Sequence, residues 1–120
     1  MEVSIKTIPE FDRRAKRLAK KFKSLKSDLQ QLVNVLRQAP THGTDLGEGV
    51  FKIRLAIASK NGGKSGGGRV ITYAVKVADP DRYEVTLLTI YDKSEISNVT
   101  DTYTKELVKQ TKEQSATSKD

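Results

Sequence analysis

Five cationic side chains fall within eighteen positions of this 120-residue chain: Lys52, Arg54, Lys60, Lys64 and Arg69. Lys52 and Arg54 stand two apart, which puts them on one face of an extended strand. Lys60 and Lys64 lie in a Gly-rich segment and Arg69 follows it. Cations gathered this way attract a polyanion, and they stabilise the charge that develops on a phosphate as it reacts. Other chemistries are excluded by composition. There is no cysteine, so there is no disulfide framework, thiolate zinc site or cysteine nucleophile, and the one histidine, His42, rules out a multi-histidine metal site. His42 sits in a Thr-His-Gly-Thr loop, where an exposed or capping role is expected.

Gly62-Gly63-Lys64-Ser65 has part of the form of a phosphate-binding P-loop, but Ala58 stands where the motif needs its first glycine. The flanking pattern is also strand to strand rather than strand to helix. A nucleoside triphosphate site is not expected. The glycines still leave backbone N–H groups open to a phosphate.

The chain carries 22 Lys and Arg against 15 Asp and Glu, a net charge of +7. Residues 1–40 hold +6 of this, residues 41–99 hold +1, and residues 100–120 are neutral. The excess comes from a run of Arg13, Arg14, Lys16, Arg17, Lys20, Lys21 and Lys23, which reads as a helix face suited to sequence-blind phosphate contact. No secretory leader or membrane span is recognisable, so a cytoplasmic protein is expected, and the Asn98-Val99-Thr100 sequon is read as chance.

The elements that must position these residues follow from periodicity. Val3 and Ile5 alternate with polar residues in a short strand. Thr7 and Glu10 have capping-box spacing around Pro9, which predicts a helix over about 9–22, and Ser27 with Gln30 predicts a second over 27–38. Phe11, Ala15, Leu18, Phe22, Leu25, Leu29, Leu32 and Leu36 form their shared apolar stripe, so the two helices are expected to fold back as an antiparallel hairpin. Pro40 and the glycines of residues 41–49 predict a loop. From Val50 the period becomes two: Phe51, Ile53, Leu55 and Ile57 share one face, Lys52 and Arg54 the other. Residues 69–77 and 83–91 read as two more strands joined by Asp-Pro turn chemistry, completing a three-strand antiparallel meander. A short helix is predicted over about 100–112. The expected architecture is a single small α+β domain over 1–113, with 114–120 as a flexible polar tail.

Three blocks, Phe51-Lys52-Ile53-Arg54-Leu55-Ala56, the stretch from Ser59 to Tyr73, and Leu87-Leu88-Thr89-Ile90-Tyr91-Asp92-Lys93-Ser94-Glu95, resemble the RelE/ParE superfamily of toxins, closest to its RelE/HigB branch. The element order is similar as well, and the resemblance spans about residues 3–110. It implies the toxin of a type II toxin–antitoxin system: a ribosome-dependent endoribonuclease that cuts messenger RNA in the ribosomal A site. In that chemistry the 2′-OH attacks the adjacent phosphate, with no metal or other cofactor.

Residue by residue, the resemblance implies Lys52 and Arg54 as the basic pair that holds substrate and helps activate the 2′-OH. It implies Arg69 as the clamp on the transition-state phosphate, and Lys93 as a leaving-group donor or phosphate contact. Tyr91 would stack on a base, and Lys60 and Lys64 would form a Lys-rich RNA-binding loop. Arg13, Arg17, Lys20 and Lys21 would contact ribosomal RNA backbone. Several ribosome-dependent members carry a C-terminal Tyr or His, but Val99 and Asp92 stand near those positions here; Tyr103 is a candidate replacement. A gyrase poison of the ParE type and a non-catalytic binding module are the alternatives, the first disfavoured by the retained Lys52, Arg54 and Arg69. The implied partners are a cognate antitoxin, the ribosome and its mRNA. Operator DNA would be reached only through the antitoxin, and no membrane is involved.

Overall fold

A computed structural model describes residues 2–60, 67–77 and 81–117, with side chains through residue 114. In chain order the elements are β1 (Glu2–Thr7), α1 (Pro9–Lys21), α2 (Leu25–Gln38), β2 (Thr44–Gly47), β3 (Val50–Leu55), β4 (Gly68–Val77), β5 (Arg82–Asp92) and α3 (Asp101–Thr117). The strands form one five-stranded sheet in the order β1-β5-β4-β3-β2. β1 runs parallel to β5 and the other three pairings are antiparallel. This is the expected small α+β domain, with one strand more than the periodicity indicated.

The added strand is β2, in the stretch read as loop. All four of its residues are exposed, so it carries no apolar alternation by which to be recognised. It exists because the backbone turns back on β3 through Gly47, Glu48 and Gly49, all at positive φ. Gly43, just before it, is also at positive φ, and a Cβ there would stand 2.6 Å from the Lys52 carbonyl oxygen. Only glycine lets the chain pass that close.

Both capping boxes are absent. Thr7 is the last residue of β1, paired with Leu87, so α1 is entered from an extended Ile8 without a side-chain cap, and Pro9 begins the helix. The second helix begins two residues early, at Leu25, which places Ser27 inside it. Ser24 precedes that helix and bonds the Asp28 carboxylate at 2.7 Å. Asp28, buried, accepts from the Ala58 N–H at 3.2 Å, while the Ser24 hydroxyl accepts from the Ser59 N–H at 2.8 Å. The hairpin thus anchors the chain just past the end of β3.

Phe11, Leu18, Phe22, Leu25, Leu32 and Leu36 are buried in one core with Phe51, Ile53, Leu55, Val70 and Ile90. Each fully buried Leu, Ile or Phe contributes about 1.5–3 kcal/mol, so this stripe is what seats the hairpin on the sheet. The other face receives α3, whose Tyr103 hydroxyl lies 2.9 Å from Thr89 Oγ1. Leu107, Thr104 and Thr111 of α3 are buried. This helix runs to Thr117, past the expected end near 112, and 118–120 lie outside the described residues. β5 has an irregularity: Ile71 pairs with Thr89 but Thr72 with Leu87, so Leu88 is an extra residue. Every side chain from Val85 to Asp92 is buried, as expected for a strand covered on both faces.

Candidate nucleic-acid site

Register brings the predicted cations into rows. Arg54 of β3 pairs with Arg69 of β4, and Arg69 pairs with Tyr91 of β5. Two residues along, Lys52 pairs with Ile71, and Ile71 with Thr89. Directly paired residues project from the same side of a sheet, so Lys52, Arg54, Arg69 and Tyr91 share the face opposite Ile53, Val70 and Ile90. Neighbouring strands lie about 4.8 Å apart, so Arg54 and Arg69 concentrate two positive charges where an uncharged pair would be more stable.

Exposure differs along the row. Arg54 is exposed and Lys52 half-buried, and among the described residues neither forms an ion pair. Arg69 is only 7% exposed, with Nη1 donating to the Gly68 carbonyl at 2.9 Å. Its guanidinium is therefore a buried positive charge beside Arg54 rather than an open clamp. Tyr91 is 3% exposed, which corrects its assignment as a stacking surface. Its hydroxyl has no hydrogen-bond partner among the described residues, and burial pushes that phenol up while the Arg69 charge opposes the rise.

Lys60 is not an open RNA contact either. It forms an ion pair with Asp92 and donates to Ser94 Oγ at 3.2 Å, and its ammonium lies 5.8 Å from the Phe22 ring centre. The Asp92 side chain is 1% exposed. Burial alone would raise its pKa, but Lys60 and the N–H and hydroxyl of Ser94 outweigh burial and hold it at about 2. The second Asp92 oxygen lies 3.6 Å from Lys21 Nζ and has no hydrogen-bond partner among the described residues. Lys93 donates to the Ser97 carbonyl at 2.6 Å and its N–H to the Gly67 carbonyl at 3.0 Å. Lys64 lies outside the described residues.

Four of the seven helical cations are paired. Arg13 and Arg14 pair with Glu10, Arg17 pairs with Glu95 at 3.2 Å, and Lys21 pairs with Glu95 at 3.3 Å. Lys20 is exposed. Tyr103 is committed as well: its hydroxyl donates to Glu10, so in the bond to Thr89 the threonine must be the donor. Burial would raise the Glu10 pKa, but Tyr103, Arg14 and Arg13 hold it at about 2. Glu10, Asp92 and Glu95 organise the surroundings of the row; Glu10 holds Arg13 and Arg14 at local helix spacing, but the contacts to Tyr103, Lys60, Arg17 and Lys21 span 32 to 93 residues and no motif spacing marks them. No group of three or more His, Cys, Asp or Glu side chains able to hold a metal occurs among the described residues.

A family model described as the RelE toxin of the RelE/RelB toxin–antitoxin system matches residues 11–120. This chain belongs to the RelE toxin family. The match begins two residues into α1 and covers the rest of the hairpin, β2 to β5 and α3, and hence the row of Lys52, Arg54, Arg69 and Tyr91. Among curated proteins, none matches. Membership in the RelE family implies an antitoxin partner. No helix of the described residues is long and apolar enough to cross a membrane.

Proposed function

We propose that this RelE-family toxin is a ribosome-dependent endoribonuclease of the HigB-like kind, which cuts mRNA in the A site and so halts translation in the cytoplasm. The observation that carries this reading is the cationic row: Arg54 opposite Arg69 with Lys52 on the same face, Lys52 and Arg54 making no ion pair among the described residues. Two like charges in direct register cost stability, and a bound phosphate repays it.

In this reaction the ribose 2′-oxygen attacks the adjacent phosphorus and the P–O5′ bond breaks, leaving a 2′,3′-cyclic phosphate and a 5′-hydroxyl. The proton leaves the 2′-oxygen and one arrives on O5′. Lys52 and Arg54 hold the phosphate and lower the cost of the 2′-alkoxide. Arg69, alongside Arg54, stabilises the charge on the phosphorane-like transition state. Lys93 supports the leaving oxygen. No step requires a metal.

The test is primer extension on an mRNA translated in a reconstituted system. Cuts within codons that need the ribosome, and that vanish with Arg69→Ala in a folded protein, support the reading. Intact mRNA, or full cutting by a folded Arg69→Ala protein, overturns it; inhibition of DNA supercoiling with intact mRNA would favour a gyrase poison instead.

A further inference from the structure

Asp92 is the last residue of β5, and its side chain is 1% exposed. It pairs across the sheet with Gly68. Arg69 and Lys93, the cations assigned above to the transition-state charge and the leaving oxygen, are the residues that follow each member of this pair. Consecutive Cα atoms are only about 3.8 Å apart, so whatever fixes the Gly68–Asp92 pair also fixes how Arg69 and Lys93 stand to each other.

The Asp92 carboxylate binds on three sides. Its Oδ1 accepts from the Ser94 N–H at 3.0 Å and from the Ser94 hydroxyl at 2.8 Å, and the same oxygen takes the Lys60 ammonium. The main-chain oxygen of Asp92 accepts from the N–H groups of Glu95 and Ile96, both at 3.0 Å. These bonds wind residues 92–96 into a tight turn, and Lys93 rides on it. Lys93 is also tied to the neighbouring strand, its N–H donating to the Gly67 carbonyl at 3.0 Å, while its ammonium donates to the Ser97 carbonyl just past the turn. An ammonium has three donors, so that bond leaves others for a substrate oxygen. On the far side of the pair, the Arg69 guanidinium donates to the Gly68 carbonyl. Three separate stretches of chain, at Lys60, at 67–69 and at 92–97, thus meet at one carboxylate.

We infer that Asp92 is a positioning residue for RNA cleavage: its carboxylate holds the Lys93 turn at a fixed place relative to Arg69, so that one cation meets the leaving oxygen while the other meets the phosphate. Asp92 acts through these neighbours, because alternation along β5 puts its side chain on the face opposite Tyr91 and Arg69. The inference rests on the RNA-cleavage reading above and on the part that reading gives to Lys93. A catalytic group misplaced by about 1 Å can cost about a hundredfold in rate. Release of the turn should therefore lower kcat, while KM holds, since Lys52 and Arg54 bind substrate from β3.

The experiment measures kcat and KM for mRNA cleavage on programmed ribosomes, at a temperature where circular dichroism shows each variant folded. Asp92→Ala, Asp92→Asn and Ser94→Ala are compared in the wild-type and Lys93→Ala backgrounds. Both Asp92 variants deprive Lys60 of its counter-charge and lose stability, but asparagine keeps an oxygen that accepts from Ser94. Expected is a fall in kcat of about a hundredfold for Asp92→Ala and a much smaller one for Asp92→Asn, with KM unchanged. Ser94→Ala, at an exposed position, should lower kcat about fivefold through the one lost hydrogen bond. In the Lys93→Ala background all three losses should vanish, because no ammonium is left to place. Equal losses for the two Asp92 variants, or losses that persist without Lys93, mark damage to the fold alone and overturn the inference. Should Asp92→Ala not fold, Ser94→Ala decides, an unchanged kcat overturning it. A Lys93→Ala protein that cuts at the wild-type rate overturns it too and leaves the cleavage reading standing. A wild type that cuts no RNA overturns the cleavage reading and this inference with it.

Discussion

Arg54 and Arg69 face each other directly across β3 and β4, one exposed and the other only 7% exposed. Like charges in this relation are destabilising by roughly 0.2–1 kcal/mol. The arrangement costs the folded protein something and gives it a site for an anion. Replacement of the exposed member should therefore separate stability from function. Arg54→Gln is expected to leave the protein as stable or stabilise it by up to about 1 kcal/mol, read from chemical denaturation, while RNA cleavage falls at least about tenfold. A variant that loses both would contradict this.

Salt dependence should report which cations meet RNA. Each phosphate neutralised on a single strand contributes about 0.7 to the slope of log affinity against log salt. Removing Lys52 and Arg54 together should lower that slope by about 1.4. Arg17→Gln should change it less, because Arg17 is already paired with Glu95. Filter binding of labelled RNA over a salt series makes the comparison; equal losses for both variants would return the hairpin to the interface.

Acid should weaken the fold through Asp92 and Glu10. Both have folded pKa values of about 2, below the ordinary 3.8 and 4.5. A depressed carboxylate contributes stability that is complete above its unfolded pKa and is lost as pH falls through the folded value. The loss is therefore expected between about pH 4.5 and pH 2, at about 2 kcal/mol for Asp92. Asp92→Asn should remove its share of that acid dependence. It should also cost about 3 kcal/mol at neutral pH, because Lys60 keeps its charge in a half-buried place without its partner. Denaturation midpoints measured from pH 7 to pH 2 for both proteins decide the matter.

Tyr103→Phe tests whether this residue plays the catalytic part that the family resemblance led one to expect of a C-terminal Tyr or His. Its one hydroxyl proton goes to Glu10, which points to a latch between α3 and α1 rather than a proton donor. The variant is expected to lose about 1.5–3 kcal/mol and to exchange amide hydrogens faster in α3, with cleavage retained at temperatures well below unfolding. Loss of cleavage at unchanged stability would make Tyr103 part of the chemistry.

How far these features can be read from residues alone depends on the range of the interaction. Alternation over Phe51 to Leu55 already put Lys52 and Arg54 on one face, because the period of a strand is a property of its own backbone. The apolar stripe from Phe11 to Leu36 likewise predicted the hairpin, since its spacing matches a helix whatever it packs against. Failures came where a local signal competed with a distant partner. Thr7 looked like a cap but pairs with Leu87 in the sheet, and Glu10 looked like the other half of a capping box but binds Tyr103, 93 residues away. β2 had no apolar pattern to reveal it, being exposed throughout.

Charge divides in the same way. The amino-acid sequence by itself determined the composition of the basic surface, the absence of thiol and histidine chemistry, and the face on which the strand cations lie. Only tertiary structure decided which of those charges remain unpaired. Glu95 and Glu10 pair with four of the seven cations of the helical run, and Asp92 takes Lys60, while Lys52 and Arg54 are left without an ion pair among the described residues. The physical reason is that a charge acts through whatever stands within a few ångströms of it, and for Arg17, Lys21 and Lys60 those neighbours come from other parts of the chain.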